Sequence, residues 1–299
     1  MIPERSIPHI FALAAAALWG LAGVVNKGLL GSFPTAHLVL IQIGFSAVLT
    51  WFLLLRHQEI EFDLHLMGAF SLGLLHPGLS NAVGLVGLAN VTASLSTVIW
   101  ALEAILTMLV AVLVLRERLR PVDGLLSCIA VGGVCVISFG TQEVAGDGSI
   151  LGAAQTLFAV LGCAVHAVLS RYFTAASKMS LLLVLAGQQT VGLVYCALVL
   201  PFHWSFADFA NLGNIDAQSW CLVLATGTTK FLVATGLYIA ALTKLPAGRA
   251  GNYLILTPIF GLIAASAVLS EQFGTQQWLG AALALLSVAL VQFRSWKFQ

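Results

Sequence analysis

Charged residues are scarce in this chain of 299 amino acids, because Lys, Arg, Asp and Glu together make up only 8% of it. Soluble domains carry roughly 25% charged residues, and a water-facing surface of ordinary size needs them. Apolar residues make up 60% of the chain, and its mean hydropathy is +0.99. The composition therefore excludes a soluble globular domain and predicts that most of the chain lies in lipid.

Sequence signatures of several enzyme and pump classes are also missing. The chain has no G-x-x-x-x-G-K-[ST] run, no H-E-x-x-H run and no connection long enough for a nucleotide-binding domain. A clustered acid–base set at one interface, which an intramembrane lipid transferase would need, is not visible either. The net charge of +1 offers no basic patch for nucleic acid. We therefore expect neither an enzyme nor a cofactor.

Cysteine gives no sign of a disulfide framework or of a metal site, because an odd number without paired spacing fits neither. We interpret the cysteines as small apolar packing residues. The polar stretch 56–65 has metal-capable side chains but no ligand spacing, and it is interpreted as a solvated loop. The five cysteines all lie in apolar stretches: Cys128, Cys135, Cys163, Cys196 and Cys221.

Long apolar runs, in contrast, fill the chain and predict an all-α polytopic membrane protein of ten transmembrane helices. A helix needs about 20 apolar residues to cross the hydrocarbon. The first run is longer than the core of a signal sequence and contains Asn26 and Lys27, so we interpret it as a retained helix. The predicted spans are 10–30, 36–55, 64–89, 94–115, 122–140, 150–173, 180–201, 217–243, 247–270 and 275–293.

The distribution of charge predicts the orientation. Ten spans leave both termini on one side, and eleven of the thirteen Lys and Arg residues fall on that side. The positive-inside rule then places both termini in the cytoplasm. The eleven are Arg5, Arg56, Arg116, Arg118, Arg120, Arg171, Lys178, Lys244, Arg249, Arg294 and Lys297. Acidic residues mark the opposite side, namely Glu143, Asp147, Asp208, Asp216 and Glu271.

The chain also contains an internal repeat. The run 115–119, which closes the fourth span, resembles the run 269–273, which closes the ninth span 154 positions later. Trp19-Gly20 and the later Lys27 are echoed at an offset of 144 by Cys163-Ala164 and Arg171. Each unit has five spans, an odd number, so the second unit enters the membrane from the other face. We predict a first repeat at 1–145 and an inverted second repeat at 146–299.

Several of these residues carry a family resemblance. The chain resembles the drug/metabolite transporter superfamily in its ten-helix EamA-like branch, near the aromatic amino-acid exporters. The resemblance covers essentially the whole chain. One departure is in the fourth helix, where the family has a proline that matches Pro258 of the ninth and this chain has Ala104. It implies a basket of helices around a central cavity in the bacterial inner membrane, and alternating access by rocking of the two repeats. The residues concerned are 17–20, 241–242, 245–250, 256–260, 269–271 and Gly280.

Four ionisable residues fall inside the spans, where each costs roughly 2.5 to 3.5 kcal/mol on insertion scales. They are His76, Glu103, His166 and Lys230. The offset of 154 carries His76 to Lys230, so two basic groups should flank the central cavity and suit a carboxylate. Glu103, whose repeat mate is Thr257, could meet a cation. A site with both basic groups and a carboxylate is complementary to a zwitterion. Alternatively, Glu103 and Lys230 pair with each other.

Aromatic and polar neighbours complete the predicted site. Trp100 lies at i,i+3 from Glu103, and Trp19 reaches similar depth; either could stack an aromatic substrate or hold an ammonium. The alternatives are an interfacial belt residue for Trp100 and a family fingerprint residue for Trp19. Pro77 and Pro258 should break their helices and expose backbone groups.

A second set of residues could form a gate or line the inner half of the cavity. His166 and Ser170 lie one turn apart, and an interhelical hydrogen bond is the favoured interpretation for them. Asn252 and Tyr253 lie nearer the mouth on the side of the termini, and Tyr253 could equally be a packing residue.

These residues lead to two hypotheses about function. The favoured one is export of a small zwitterionic metabolite, an amino acid with an apolar or aromatic side chain. The rival is a proton-coupled carrier of organic cations or drugs, with an aromatic cage and Glu103 as the proton and cation site. Lipid and the small-molecule substrate are the expected partners, and the sequence leaves a monomer or a homodimer open.

Overall fold

A computed structural model of the chain consists of helices in the residues it describes, and ten of these helices are long and apolar enough to cross a membrane. The helices α1 to α10 are Ile7–Leu29, Thr35–Arg56, His65–Leu88, Leu95–Leu115, Pro121–Ser138, Ile150–Thr174, Leu181–Val199, Ala217–Leu242, Ala247–Ala267 and Thr275–Arg294. The residues that the structure describes are 6–57, 64–88, 90, 91, 93–118, 120–139, 150–175, 180–200, 212, 213, 215–268 and 274–297.

The ten predicted spans correspond one to one to these helices, which confirms the predicted fold class. Helix α1 begins three residues earlier than predicted, because Pro8 is well suited to the first turn of a helix. Both termini lie on the same side of the bundle, which we call the terminal side. Several predictions fall outside the described residues: the charges at Arg5, Lys178, Glu143, Asp147, Asp208 and Glu271, the run 269–273, and the repeat boundary at 145 and 146.

Helices α3 and α8 share a local irregularity. In α3 two helical parts meet at a kink within the π-type segment Leu75–Leu79, where His76 has extended backbone angles, φ −141° and ψ 125°. In α8 the segment Thr228–Ala234 is π-helical. The repeat offset of 154 carries Leu75–Leu79 to 229–233, inside the second segment. Such segments widen a helix and are common at functional sites, and here each of them carries a basic residue of the predicted site.

Helices α4 and α9 are interrupted at corresponding depths. Regular helix in α9 stops at Leu254 and resumes at Thr257, next to Pro258. Helix α4 stops at Ala101 and resumes at Glu103, although Ala104 replaces the proline that its repeat mate carries. The interruption of α4 therefore occurs without a proline, and it lies directly before Glu103.

Glycines allow the closest helix contacts. A Cβ added at Gly133 of α5 would lie 2.6 Å from the carbonyl oxygen of Gly280 of α10, and the reverse distance is also 2.6 Å. A Cβ added at Gly20 of α1 would lie 2.5 Å from the carbonyl oxygen of Thr257 in α9. Because lipid provides no hydrophobic drive between helices, such close backbone packing is a main source of their association. These contacts hold the framework around the interior cavity.

Candidate functional site

A cavity of about 660 Å³ occupies the centre of the bundle. Its lining begins near mid-depth and follows α1 from Trp19 to Lys27 and α3 from His76 to Leu88, toward the side opposite the termini. Buried Tyr238 and Leu254 lie at its inner end, in the main hydrophobic core. The cavity thus connects the middle of the membrane with the side opposite the termini.

The structure places all six predicted substrate-binding residues along this one cavity. Helices of both repeats contribute, since α1, α3 and α4 belong to the first and α8 and α9 to the second. The six are Trp19, His76, Trp100, Glu103, Lys230 and Thr257.

Lys230 extends from the π-helical segment of α8 toward α3. Its Nζ donates a hydrogen bond of 3.1 Å to Oδ1 of Asn81. The same Nζ lies 4.7 Å from the centre of the Phe231 ring, within the range of a cation–π contact. Asn81 in turn donates from Nδ2 to the carbonyl oxygen of Pro77, at 2.7 Å. A neutral amide oxygen therefore occupies the position where Lys230 could hold a carboxylate.

His76 lies beside the same phenylalanine, with its ring centre 6.4 Å from that of Phe231. Its Nδ1 is 2.8 Å from Oγ of Ser80, while its Nε2 is buried and has no hydrogen-bond partner among the residues that the structure describes. The ring centre lies 5.2 Å from that of His166. A buried polar atom without a partner costs free energy. A ligand that donates a hydrogen bond to Nε2 of His76, or accepts one from it, would remove this cost.

Glu103 is half-buried and lines the same cavity. It directly follows Leu102, at the short interruption of α4. Among the residues that the structure describes, it makes neither a hydrogen bond nor a salt bridge. The alternative in which Glu103 pairs with Lys230 is therefore not the arrangement found, since Lys230 binds Asn81.

The two tryptophans lie in different environments. Nε1 of Trp19 donates a hydrogen bond of 3.1 Å to the carbonyl oxygen of Lys230, which also accepts one of 3.0 Å from the hydroxyl of Thr235. The Trp19 ring also meets Tyr238 edge to face, with ring centres 5.5 Å apart. Trp100 packs near Gly84 of α3, where an added Cβ would lie 3.4 Å from its ring. Both rings line the cavity and leave aromatic surface toward its interior.

The four predicted gate residues fall into different places. His166 lines the central cavity, and its Nε2 lies 3.1 Å from Oε1 of Gln188 on α7 and 3.3 Å from Oγ of Ser170. Asn252 accepts a hydrogen bond of 2.8 Å from Ser127 and lines a smaller cavity on the terminal side. The hydroxyl of Tyr253 lies 2.9 Å from Nδ1 of His9. His166 thus bonds between helices, to α7, whereas the contact between His166 and Ser170 lies within α6.

Sequence reasoning missed Asn81 and Tyr238, which both line the cavity. Ser80 and Asn81 form a polar pair four and five residues after His76 in an otherwise apolar run, and that spacing is a signal for a shared helix face. Tyr238, whose buried hydroxyl has no hydrogen-bond partner in the described part of the chain, gives no comparable signal, because it stands alone in an apolar run.

A helical membrane protein with a central cavity that ionisable side chains line near mid-depth has the architecture of a carrier for small molecules. The profile of the EamA-like transporter family matches residues 6–139 and again residues 150–293. The chain therefore belongs to this family, and it is a transporter rather than an enzyme. The double match also agrees with a fold of two five-helix repeats.

Two further likenesses agree with this assignment. The protein "Uncharacterized transporter sll0355" of Synechocystis sp. is 25% identical over 297 residues, which cover 93% of this chain and 87% of the relative. A solved structure, described as a crystal structure of a protein, has a TM-score of 0.82 and covers 98% of this chain and 99% of its own. At 14% identity, the second likeness concerns the fold alone.

Proposed function

We propose that this transporter exports small zwitterionic metabolites, in the first place amino acids with an apolar or aromatic side chain, by alternating access. The observation that carries the proposal is the separation of charge in the central cavity. Lys230 and His76 lie together around Phe231, while Glu103 lines the same cavity without a basic partner among the described residues. A molecule with a carboxylate and an ammonium is complementary to these basic and acidic side chains.

The carboxylate would bind at the junction of α3 and α8. It would replace the Asn81 oxygen on Lys230 and accept a further hydrogen bond from Nε2 of His76 when that nitrogen carries a proton. Hydrogen bonds to charged groups contribute about 1.5 to 3 kcal/mol each. Because the two π-helical segments provide both donors, the two repeats share the recognition of one group.

The ammonium and the side chain would occupy the other part of the cavity. Glu103 would receive the ammonium at the interruption of α4, and Thr257 offers a polar group at the matching interruption of α9. Trp19, Trp100 and Tyr238 line the same space and supply aromatic surface for an apolar or aromatic side chain. This arrangement supports the amino acid as substrate class.

A rival function has one observation in its favour. Glu103 has no partner among the described residues, whereas Lys230 already has Asn81, so an organic cation could bind at Glu103 and the tryptophans without disturbing Lys230. Such a carrier would exchange the cation for a proton on Glu103.

Equilibrium binding to the purified protein separates the two functions. We expect amino acids such as phenylalanine and leucine to bind and to compete with one another, and quaternary amines of similar size to bind weakly or not at all. Tight binding of a quaternary amine together with no measurable binding of any amino acid would instead establish the rival.

We also propose that the terminal side is cytoplasmic and that the membrane is the bacterial inner membrane. The opposite side keeps an acidic charge at Asp216, which caps α8 by accepting from the backbone N–H and the hydroxyl of Ser219, both at 2.8 Å. These two hydrogen bonds lower the pKa of Asp216 below its ordinary value, so its carboxylate stays ionised at neutral pH.

Labelling of single cysteines in a cysteine-free background tests this orientation. Gly146→Cys and Asn211→Cys, both outside the described residues, should react with an impermeant thiol reagent added to intact cells. Val122→Cys, at the terminal end of α5, should react only after the cells are opened. The reverse pattern would show that the positive-inside assignment is wrong.

A further inference from the structure

A second, smaller cavity of about 180 Å³ lies on the terminal side of the bundle. It is lined by the terminal halves of α4, α6 and α9, and Asn252 marks its inner end. Leu254, two residues further along α9, lines the central cavity instead. A short block of core residues that includes Tyr238 and Leu242 therefore lies between the two cavities.

Glu117 lines this smaller cavity and connects three helices, α4, α6 and α9. It follows α4 in the first repeat, and its carboxylate lies 3.1 Å from Nε of Arg171, at the end of α6 in the second repeat. Oε1 of Glu117 accepts from the backbone N–H of Ala247 at 2.8 Å, and Oε2 accepts from that of Gly248 at 3.2 Å. These two N–H groups open α9, which has no side-chain cap of its own.

Arg171 also forms hydrogen bonds with the end of α8. Its Nη1 donates to the carbonyl oxygen of Leu242 at 2.7 Å and to that of Leu245. These carbonyl groups belong to the end of α8 and to its connection with α9, where no helical N–H remains to satisfy them. Since Arg171 and Glu117 are only 23% and 18% exposed, water screens their ion pair less than it would at a free surface.

The contacts of Glu117 cross from the first repeat to the second at the terminal end of the molecule. At the other end, the central cavity extends to the side opposite the termini. A carrier that works by alternating access must break contacts between its repeats at one mouth whenever that mouth opens. The ion pair and the two capping hydrogen bonds are contacts of this kind, and they lie on the closed side.

We propose that Glu117 and Arg171 form the latch that closes the terminal mouth of the transport path, and that the 180 Å³ cavity is the vestibule behind it. The inference rests on the alternating access of the proposed function. When the latch opens, the vestibule joins the central cavity. Arg118 and Arg249 also line the vestibule, so its charge suits the anionic group of a substrate that passes through.

A single cysteine in the central cavity reports which mouth is open. Thr257→Cys, in a protein without its five native cysteines, lines the central cavity. In reconstituted vesicles of known orientation, an impermeant maleimide should label it rapidly from the side opposite the termini. Labelling from the terminal side should be slow, because it requires the latch to open.

Weakening the latch should make the central cavity more accessible from the terminal side. In Glu117→Gln the amide keeps one acceptor for the α9 amides but loses the charge that holds Arg171, so terminal-side labelling should be about tenfold faster. Arg171→Lys is a milder change that keeps the positive charge, and it should give a smaller increase. Asp123→Asn is the matched control: it removes a carboxylate from the lining of the same vestibule outside the latch and should leave both rates unchanged.

The outcomes separate the latch from the transport mechanism. Slow terminal-side labelling of the parent protein would show alternation, and an unchanged rate in both latch variants would then overturn the latch alone. No terminal-side labelling in any variant, with labelling from the other side intact, would overturn both the latch and alternating access. Labelling from the opposite side also verifies that each variant is folded.

Discussion

Lys230→Ala should weaken the binding of an amino acid by about 10- to 100-fold, because the carboxylate loses a charged hydrogen bond. The binding of a quaternary amine should change by less than about twofold, since such a ligand presents nothing for Lys230 to bind. The loss should appear in the dissociation constant measured by calorimetry or by displacement of a labelled amino acid. The different response of the two ligands is the informative quantity, because a general distortion of the cavity would weaken both.

A second lysine provides a matched control for this prediction. Lys27 also lines the central cavity, but it lies at the far end of α1, close to the side opposite the termini. Lys27→Ala removes the same charge from the same cavity and should alter amino-acid binding by a much smaller factor. Equal losses in the two variants would mean that the cavity attracts a carboxylate only through its overall charge, and Lys230 would lose its specific role.

Glu103→Gln should abolish detectable amino-acid binding or weaken it by about 10- to 100-fold, because the ammonium loses its counter-charge. Under the same account, transport by the parent protein should vary little across about pH 6 to 8, since Glu103 meets a cation that the substrate itself brings. The measurement is uptake of a labelled amino acid into vesicles at several fixed pH values. Glu103→Asp, which keeps the carboxylate, should recover part of the binding.

The rival account makes the opposite prediction for the same residue. If Glu103 exchanges a proton for an organic cation, transport in the parent should depend steeply on the pH gradient. Glu103→Gln would then remove that dependence and leave an equilibrative exchange. A steep dependence that Glu103→Gln removes would therefore contradict the zwitterion account and support the cation carrier.

Much of the architecture could be predicted from sequence because lipid permits so few solutions. Backbone groups inside the membrane must be satisfied by the protein, and apolar runs of about 20 residues satisfy theirs as helices. The repeat offset was also informative, because it relates His76 to Lys230 from the sequence alone. The structure places both residues in the cavity that Glu103 lines.

Other features depend on contacts between distant segments and left no signal in the sequence. The interruption of α4 at Leu102 occurs without a proline, and the π-helical segment of α8 has neither a proline nor a glycine. The role of Glu117 was similarly hidden, because its partners Arg171 and Ala247 are 54 and 130 positions away. Only the packing of the repeats reveals which carboxylate caps α9 and which one remains available in the cavity.

Binding of one amino acid in three chemical forms tests the central claim most directly. Free phenylalanine carries both charges, its methyl ester lacks the carboxylate, and its N-acetyl derivative lacks the ammonium. The account predicts that the free amino acid binds and that each blocked form binds at least about tenfold more weakly. Binding of the methyl ester as tight as that of free phenylalanine would contradict it, because Lys230 and His76 would then recognise nothing.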